Sequence, residues 1–217
     1  MGRKDAFDRV KQIGIIPAIR SSHPDQAIHA AEAIRLGGIS IIEVSLALPG
    51  ALKVLEAIAN AHGNHMLVGA GSVIDDQALR LARQAGAQFI VTPGFSSSAV
   101  SIAAELDVAI FVGALTPTEV QLAATSRADA VKLFPCYAVG GPRYLKALRG
   151  QYPHIDFIAS GGVGLNDCEE YFRAGACAIG VGGEIADAES MATGHHRVFT
   201  VRAKRFREAV RAALAVN

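Results

Sequence analysis

Two charged residues sit where the sequence leads one to expect none. Lys132 lies inside "DAVKLFP", residues 129–135, and Glu43 inside "IIEVSL", which starts at Ile41. Both runs read as buried strands. Burying an ammonium or a carboxylate is costly unless it is paired or neutralised. Side chains alternate along a strand, so Lys132 shares a face with Ala130 and Phe134, and Glu43 shares one with Ile41 and Ser45. If both strands line one barrel, the two charges meet in its lumen. A desolvated lysine amine attacks carbonyl carbon, and the resulting imine is an electron sink for the carbanion left when a C–C bond breaks. A neighbouring carboxylate can move the protons. The same two residues also fit a structural ion pair in which Glu43 only neutralises Lys132.

The elements that must hold this pair recur along the chain. "IIPAIR" from Ile15, "IIEVSL" from Ile41, "MLVGAG" from Met66 and "FIVTPG" from Phe89 are followed by "AIFVGA" from Ala109, "AVKLFP" from Ala130, "DFIASGG" from Asp156 and "AIGVGG" from Ala178. Their starts fall roughly every 20 to 26 residues, the length of one strand, one helix and two loops. Near-continuous apolar character suits parallel strands covered on both faces. The intervening segments carry helical periodicity: "PDQAIHAAEAIRLGG" places Ala27, Ala30, Ala31 and Ile34 on one face, and "DDQALRLARQAGA", "GPRYLKALRG" and "LNDCEEYFRAGA" follow the same plan. The expected fold is α/β, a single (β/α)8 barrel domain over residues 1–217, with an N-terminal helix at about 3–13 and "VRAKRFREAVRAALAV" as a last outer helix. A doubly wound open sheet is the alternative, but no G-x-G-x-x-G follows the first strand.

In such a barrel the site forms at the C-terminal strand ends. Arg20 closes the first run, Ser72 the third, Thr92 the fourth and Ser160 the seventh. Glycine-rich "SGGVG" at 160–164 and "GVGG" at 180–183 close the seventh and eighth, where backbone N–H groups can approach a phosphate. Arg20 also reads as a surface arginine, and the glycines as tight turns. What favours chemistry is that all these positions map to one end of one barrel.

The rest of the composition is exclusion. Of the 217 residues, 51% are hydrophobic and 19% charged, with a net charge of +1, so a compact globule without a nucleic-acid footprint is expected. No apolar run suggests a membrane span, and the charged N-terminus reads as cytoplasmic. Cys136, Cys168 and Cys177 lack zinc-like spacing, and the adjacent His195 and His196 lie in a polar stretch, so neither a metal nor a cofactor is expected.

Several motifs in order resemble the 2-keto-3-deoxy-6-phosphogluconate (KDPG) and 4-hydroxy-2-oxoglutarate (KHG) aldolase family from about Ile15 to the final helix. They are "PAIR", "GGISIIEVSL", "VGAGSV", "AGAQFIVTPGF", "VGALTPTE", "VKLFP" with "GGPRYLKAL", and "SGGV" with "GVGG". The resemblance implies a class I aldolase, commonly a homotrimer, acting on a small 2-keto acid. It implies that Lys132 forms the Schiff base and Glu43 is the general acid/base. Arg20 and Ser72 would hold the carboxylate, and Thr92, Pro93, Phe134 and Ser160 would complete the pocket. Gly161, Gly162, Gly182 and Gly183 would cradle a phosphate. Three positions depart from the family pattern. Ala47 stands where some members have arginine, Ser160 where threonine is common, and Gly183 where serine is common, with Glu184 after it. The implied reaction splits a phosphorylated 2-keto-3-deoxy sugar acid. A phosphogalactonate or 4-hydroxy-2-oxoglutarate substrate is the near alternative; a phosphate-binding isomerase or epimerase, or a non-catalytic 2-keto acid binder, is the distant one.

Overall fold

The computed structural model describes residues 1–216. Eight strands form a closed parallel barrel in sequence order: β1 (Ile15–Ile19), β2 (Ile41–Ser45), β3 (Leu67–Gly71), β4 (Phe89–Val91), β5 (Ala109–Ala114), β6 (Ala130–Leu133), β7 (Phe157–Ser160) and β8 (Ala176–Val181). β8 pairs back onto β1, with Ile16 opposite Gly180. This is the expected (β/α)8 architecture. The strands are apolar on both faces because one face meets the lumen and the other meets helices.

The helices are α1 (Arg3–Ile13), α2 (Pro24–Leu36), α3 (Ala51–His62), α4 (Asp76–Gln84), α5 (Ser97–Glu105), α6 (Pro117–Thr125), α7 (Pro142–Gln151), α8 (Cys168–Arg173), α9 (Ala188–Ala192) and α10 (Arg197–Val216). Their ends follow local chemistry. Asp75 accepts from the Ala78 N–H at the start of α4, and Thr116 with Glu119 forms a reciprocal capping box at α6. The Glu119 carboxyl is held below its ordinary range by the Thr116 and Leu115 N–H groups and the Thr116 hydroxyl.

Helix α1 lies against the N-terminal end of the barrel. It buries Ala6, Phe7 and Val10, with the Phe7 ring 5.6 Å from that of Phe111 on β5. Arg3 anchors it through paired bonds of 2.8 and 2.9 Å to Asp129, whose carboxylate also accepts from the Ile110 N–H at 2.8 Å. That end is thereby closed, and the opposite end is left to the site.

Among the boundaries that differ from the sequence expectation, two are instructive. β8 begins at Ala176, not Ala178, because a bulge opposite Phe157 and Ile158 lets the strand continue through Cys177. α10 begins at Arg197, not Val201, because Phe199 starts the buried stripe that continues through Ala203, Phe206, Val210 and Ala213. His196, read as part of a polar stretch, packs its ring 5.1 Å from that of His29 and 5.8 Å from that of Phe199. Among the described residues no helix is long and apolar enough to cross a membrane, and no group of three or more His, Cys, Asp or Glu side chains could hold a metal.

Candidate active site

β6 carries Lys132 inward because Val131 and Leu133 take the helix-facing side. In register, Lys132 sits beside Gly113 of β5 and Ile158 of β7. Glu43 points inward from β2, beside Ala18 and Gly69. The two side chains meet across the lumen with Lys132 Nζ 3.6 Å from Glu43 Oε1, the amine side chain 8% exposed and the carboxylate side chain 5%. At that distance the ions attract but share no hydrogen bond. Lys132 Nζ also stands 5.3 Å from the centre of the Phe134 ring, over its face.

Glycine makes the room for this pair. A methyl group at Gly71 would lie 1.9 Å from Glu43 Oε1, and one at Gly180 would lie 2.6 Å from Ser160 Oγ. Gly161 and Gly162 have φ of 87° and 76°, a left-handed backbone that glycine adopts without strain. A methyl group at Gly161 would lie 2.9 Å from Pro135 Cα, so the loop after β7 presses directly onto the exit of β6.

Above Lys132 opens a cavity of about 190 Å³ at the C-terminal strand ends. Eight residues singled out from the sequence line it together: Arg20, Lys132, Phe134, Ser160, Gly161, Gly162, Gly182 and Gly183. Glu43 reaches it from beneath through a small void that Lys132 and Gly180 share with the cavity above. Ser72, Thr92 and Pro93 do not line this cavity. The Thr92 hydroxyl donates to the Gly94 carbonyl at 2.7 Å and accepts from the Gly113 N–H at 3.2 Å, so it braces β4 against β5. Pro93 contributes backbone that covers Gly113. Ser72, at φ 57°, lies 2.9 Å from Ser45 through their hydroxyl oxygens.

Sequence reasoning missed Ala18 and Val163 as lining residues and Ser45 as the partner of Ser72. Alternation had placed Ser45 on the face of Glu43, and that was the available signal. Glu184, noted in the sequence only as a departure, lines the cavity as well. Cys136, at the exit of β6, is not a competing nucleophile: burial pushes its thiol up to about 11, and its Sγ lies 3.5 Å from the Gly141 carbonyl.

Comparison with known proteins places this geometry. The family model "KDPG and KHG aldolase" matches residues 7–201. The chain is 32% identical over 161 residues to 2-dehydro-3-deoxy-phosphogluconate aldolase of Pseudomonas aeruginosa, covering 74% of this chain and 73% of the relative. It is 30% identical over 200 residues to 2-dehydro-3-deoxy-6-phosphogalactonate aldolase of Escherichia coli, covering 92% and 97%. A crystal structure of KDPG aldolase from Legionella pneumophila, with pyruvate captured at low pH as a covalent carbinolamine intermediate, matches with a TM-score of 0.85. Identity there is 28%, over 92% of this chain and 96% of that one. A family match across most of the barrel settles the kinship: the chain belongs to the KDPG and KHG aldolase family and is a class I aldolase.

Proposed function

We propose that this protein cleaves 2-keto-3-deoxy-6-phosphogluconate to pyruvate and glyceraldehyde 3-phosphate, with Lys132 as nucleophile and Glu43 as general acid/base. The observation that carries the assignment is a buried amine, 3.6 Å from a buried carboxylate, that makes no hydrogen bond among the described residues and faces a cavity. A purely structural buried pair needs its remaining donors and acceptors satisfied to repay desolvation. This amine is left free to attack.

The Lys132 amine adds to the C2 ketone, and water leaves as the iminium forms, with Glu43 passing the protons. Glu43 then takes the C4 hydroxyl proton. The C3–C4 electron pair moves into the iminium, the aldehyde departs, and an enamine remains. Protonation at C3 and hydrolysis of the imine release pyruvate and restore the amine. Arg20, at the rim, holds the C1 carboxylate in this reading, and Ser72 steadies Ser45 on the face of Glu43. Phe134 walls the pocket, Thr92, Pro93 and Ser160 fix the strand ends, and Gly161, Gly162, Gly182 and Gly183 receive the phosphate.

The same chemistry on the phosphogalactonate epimer is a second reading, favoured by the length of the match to the Escherichia coli relative. The homotrimer implied by the family is part of this reading: Ile74, 77% exposed, precedes Asp75 at an apolar groove that includes Leu46, Leu48, Leu52 and Leu81, a surface that suits contact between copies of the chain. A cytoplasmic location suits its three unpaired cysteines.

The test is reductive trapping. With pyruvate and borohydride, mass spectrometry is expected to find the adduct on Lys132, and Lys132→Ala is expected to lose lyase activity. Turnover with Lys132 unmodified would sink the proposal, as would full activity in the alanine variant. Relative kcat/KM for the two epimers then decides between the sugar acids.

A further inference from the structure

β4 is the shortest strand of the barrel, and a side chain finishes its pairing with β5. The Thr92 N–H donates to the Phe111 carbonyl at 3.1 Å, continuing the ladder that pairs Val91 with Phe111. In a parallel ladder the next bond would run from the Gly113 N–H to the Thr92 carbonyl. It runs instead to the Thr92 hydroxyl, at 3.2 Å, and that hydroxyl donates to the Gly94 carbonyl at 2.7 Å. Pro93 has no N–H with which to continue a strand, so the chain turns there. One hydroxyl, on a residue 2% exposed, ties both sides of the turn together.

The turn lies over the lumen face of β5. Phe111 lines the small void that Lys132 and Glu43 share, and Gly113, two residues on, faces the same way. A methyl group at Gly113 would lie 2.2 Å from both the carbonyl carbon and the carbonyl oxygen of Pro93. The Pro93 backbone therefore takes the place of a side chain on Gly113. In register, Gly113 is the β5 neighbour of Lys132. What walls the lumen on the β5 side of the amine is thus a turn rather than a side chain, and the Thr92 hydroxyl holds that turn in place.

We propose that Thr92 is a positioning residue for the reaction: by pinning the Pro93 peptide over Gly113, its hydroxyl confines the Lys132 side chain on the β5 side and keeps the amine aligned with Glu43. This rests on the Schiff-base reading above and deepens it. Thr92 does not line the cavity, so it acts through Pro93 and Gly113 and not on the substrate. Without the hydroxyl, the buried Gly113 N–H loses its acceptor and the turn is released from β5. The amine then gains room to leave its place opposite Glu43, while the groups that line the cavity keep theirs. The loss falls on the chemical steps and not on substrate binding.

The experiment measures kcat and KM for 2-keto-3-deoxy-6-phosphogluconate, and the rate of pyruvate trapping by borohydride, in the wild type, Thr92→Val, Thr92→Ala and Thr92→Ser, each corrected for its folded fraction by circular dichroism. Thr92→Val keeps the shape and loses the hydroxyl, Thr92→Ala loses it without crowding and carries the test if the valine variant does not fold, and Thr92→Ser keeps it. The valine and alanine variants are expected to lose about ten-fold to a hundred-fold in kcat, the range for a group displaced by up to about 1 Å, and to trap pyruvate more slowly. Their KM is expected to stay within about three-fold of the wild type, and Thr92→Ser to keep its kcat within about three-fold. A role confined to stability lowers the thermal midpoints of the valine and alanine variants and leaves the kcat of the folded enzyme unaltered; that result overturns the proposal. So does a serine variant that falls as far as the valine one. Wild-type turnover with Lys132 unmodified condemns the imine reading itself. Wild-type trapping on Lys132, with Thr92→Val trapped equally fast, condemns the role of Thr92 alone.

Discussion

Gly71 and Glu43 are fitted to one another: a methyl group at Gly71 would stand 1.9 Å from Glu43 Oε1 and 2.5 Å from its carboxyl carbon. The backbone of Gly71 is not left-handed, so alanine is conformationally allowed there and the conflict is steric. Gly71→Ala must therefore push the carboxylate off its position opposite Lys132. Displacing a catalytic group by about 1 Å costs on the order of 10²-fold in rate. The expected result is a loss of that order in kcat with KM for the 2-keto acid little changed, in a protein whose far-UV circular dichroism matches the wild type. An unaltered kcat would mean that Glu43 has room to spare.

The Lys132–Glu43 pair makes a second prediction, about stability. Each ion is buried and each has the other as its charge partner. Removing one leaves an uncompensated buried charge, at a cost of about 3 to 5 kcal/mol. Lys132→Met and Glu43→Gln should each lower stability, and the double variant should lose clearly less than the two combined. None of the three should cleave substrate. Urea unfolding of the four proteins closes the cycle; additive losses would show that the pair is not coupled.

These two cases mark what the sequence could show. The barrel was legible because eight apolar runs repeat at the spacing of one strand and one helix. The meeting of Lys132 with Glu43 was legible because alternation fixes which side chains face inward once the barrel closes. The fit of Gly71 was hidden: "VGAGSV" shows a flexible strand, but not which side chain occupies the missing Cβ. Thr92 shows a hydroxyl at a strand end, but not that Gly94 and Gly113 already engage it. Such commitments depend on neighbours across the barrel, and no local pattern encodes them. The stacking of half-buried His196 on buried Phe199 escaped for the same reason.

Acid stability of the loop beyond β8 carries the last prediction. Asp187 caps α9 and holds Arg202 of α10, and Arg202 also donates to the Ile185 carbonyl at 3.4 Å. The loop that includes Gly183 and Glu184 is thus tied to the last helix just beyond the site. The Arg202 guanidinium, then the Ser190 N–H, hold the Asp187 carboxyl well below the usual carboxylate range. Because the folded-state value is depressed, the unfolded chain binds more protons in acid. The stabilisation is therefore present above about pH 4, the ordinary aspartate value, and is lost as pH falls. Asp187→Asn removes that dependence. It should be less stable than the wild type at pH 7, and the gap should close as pH drops below about 4. Thermal unfolding across this range is the measurement, and a gap that stays constant down to pH 3 would show that the ion pair contributes nothing. If the pair also holds the loop in place, the same variant should raise KM for the phosphorylated substrate at pH 7 while pyruvate trapping on Lys132 stays intact.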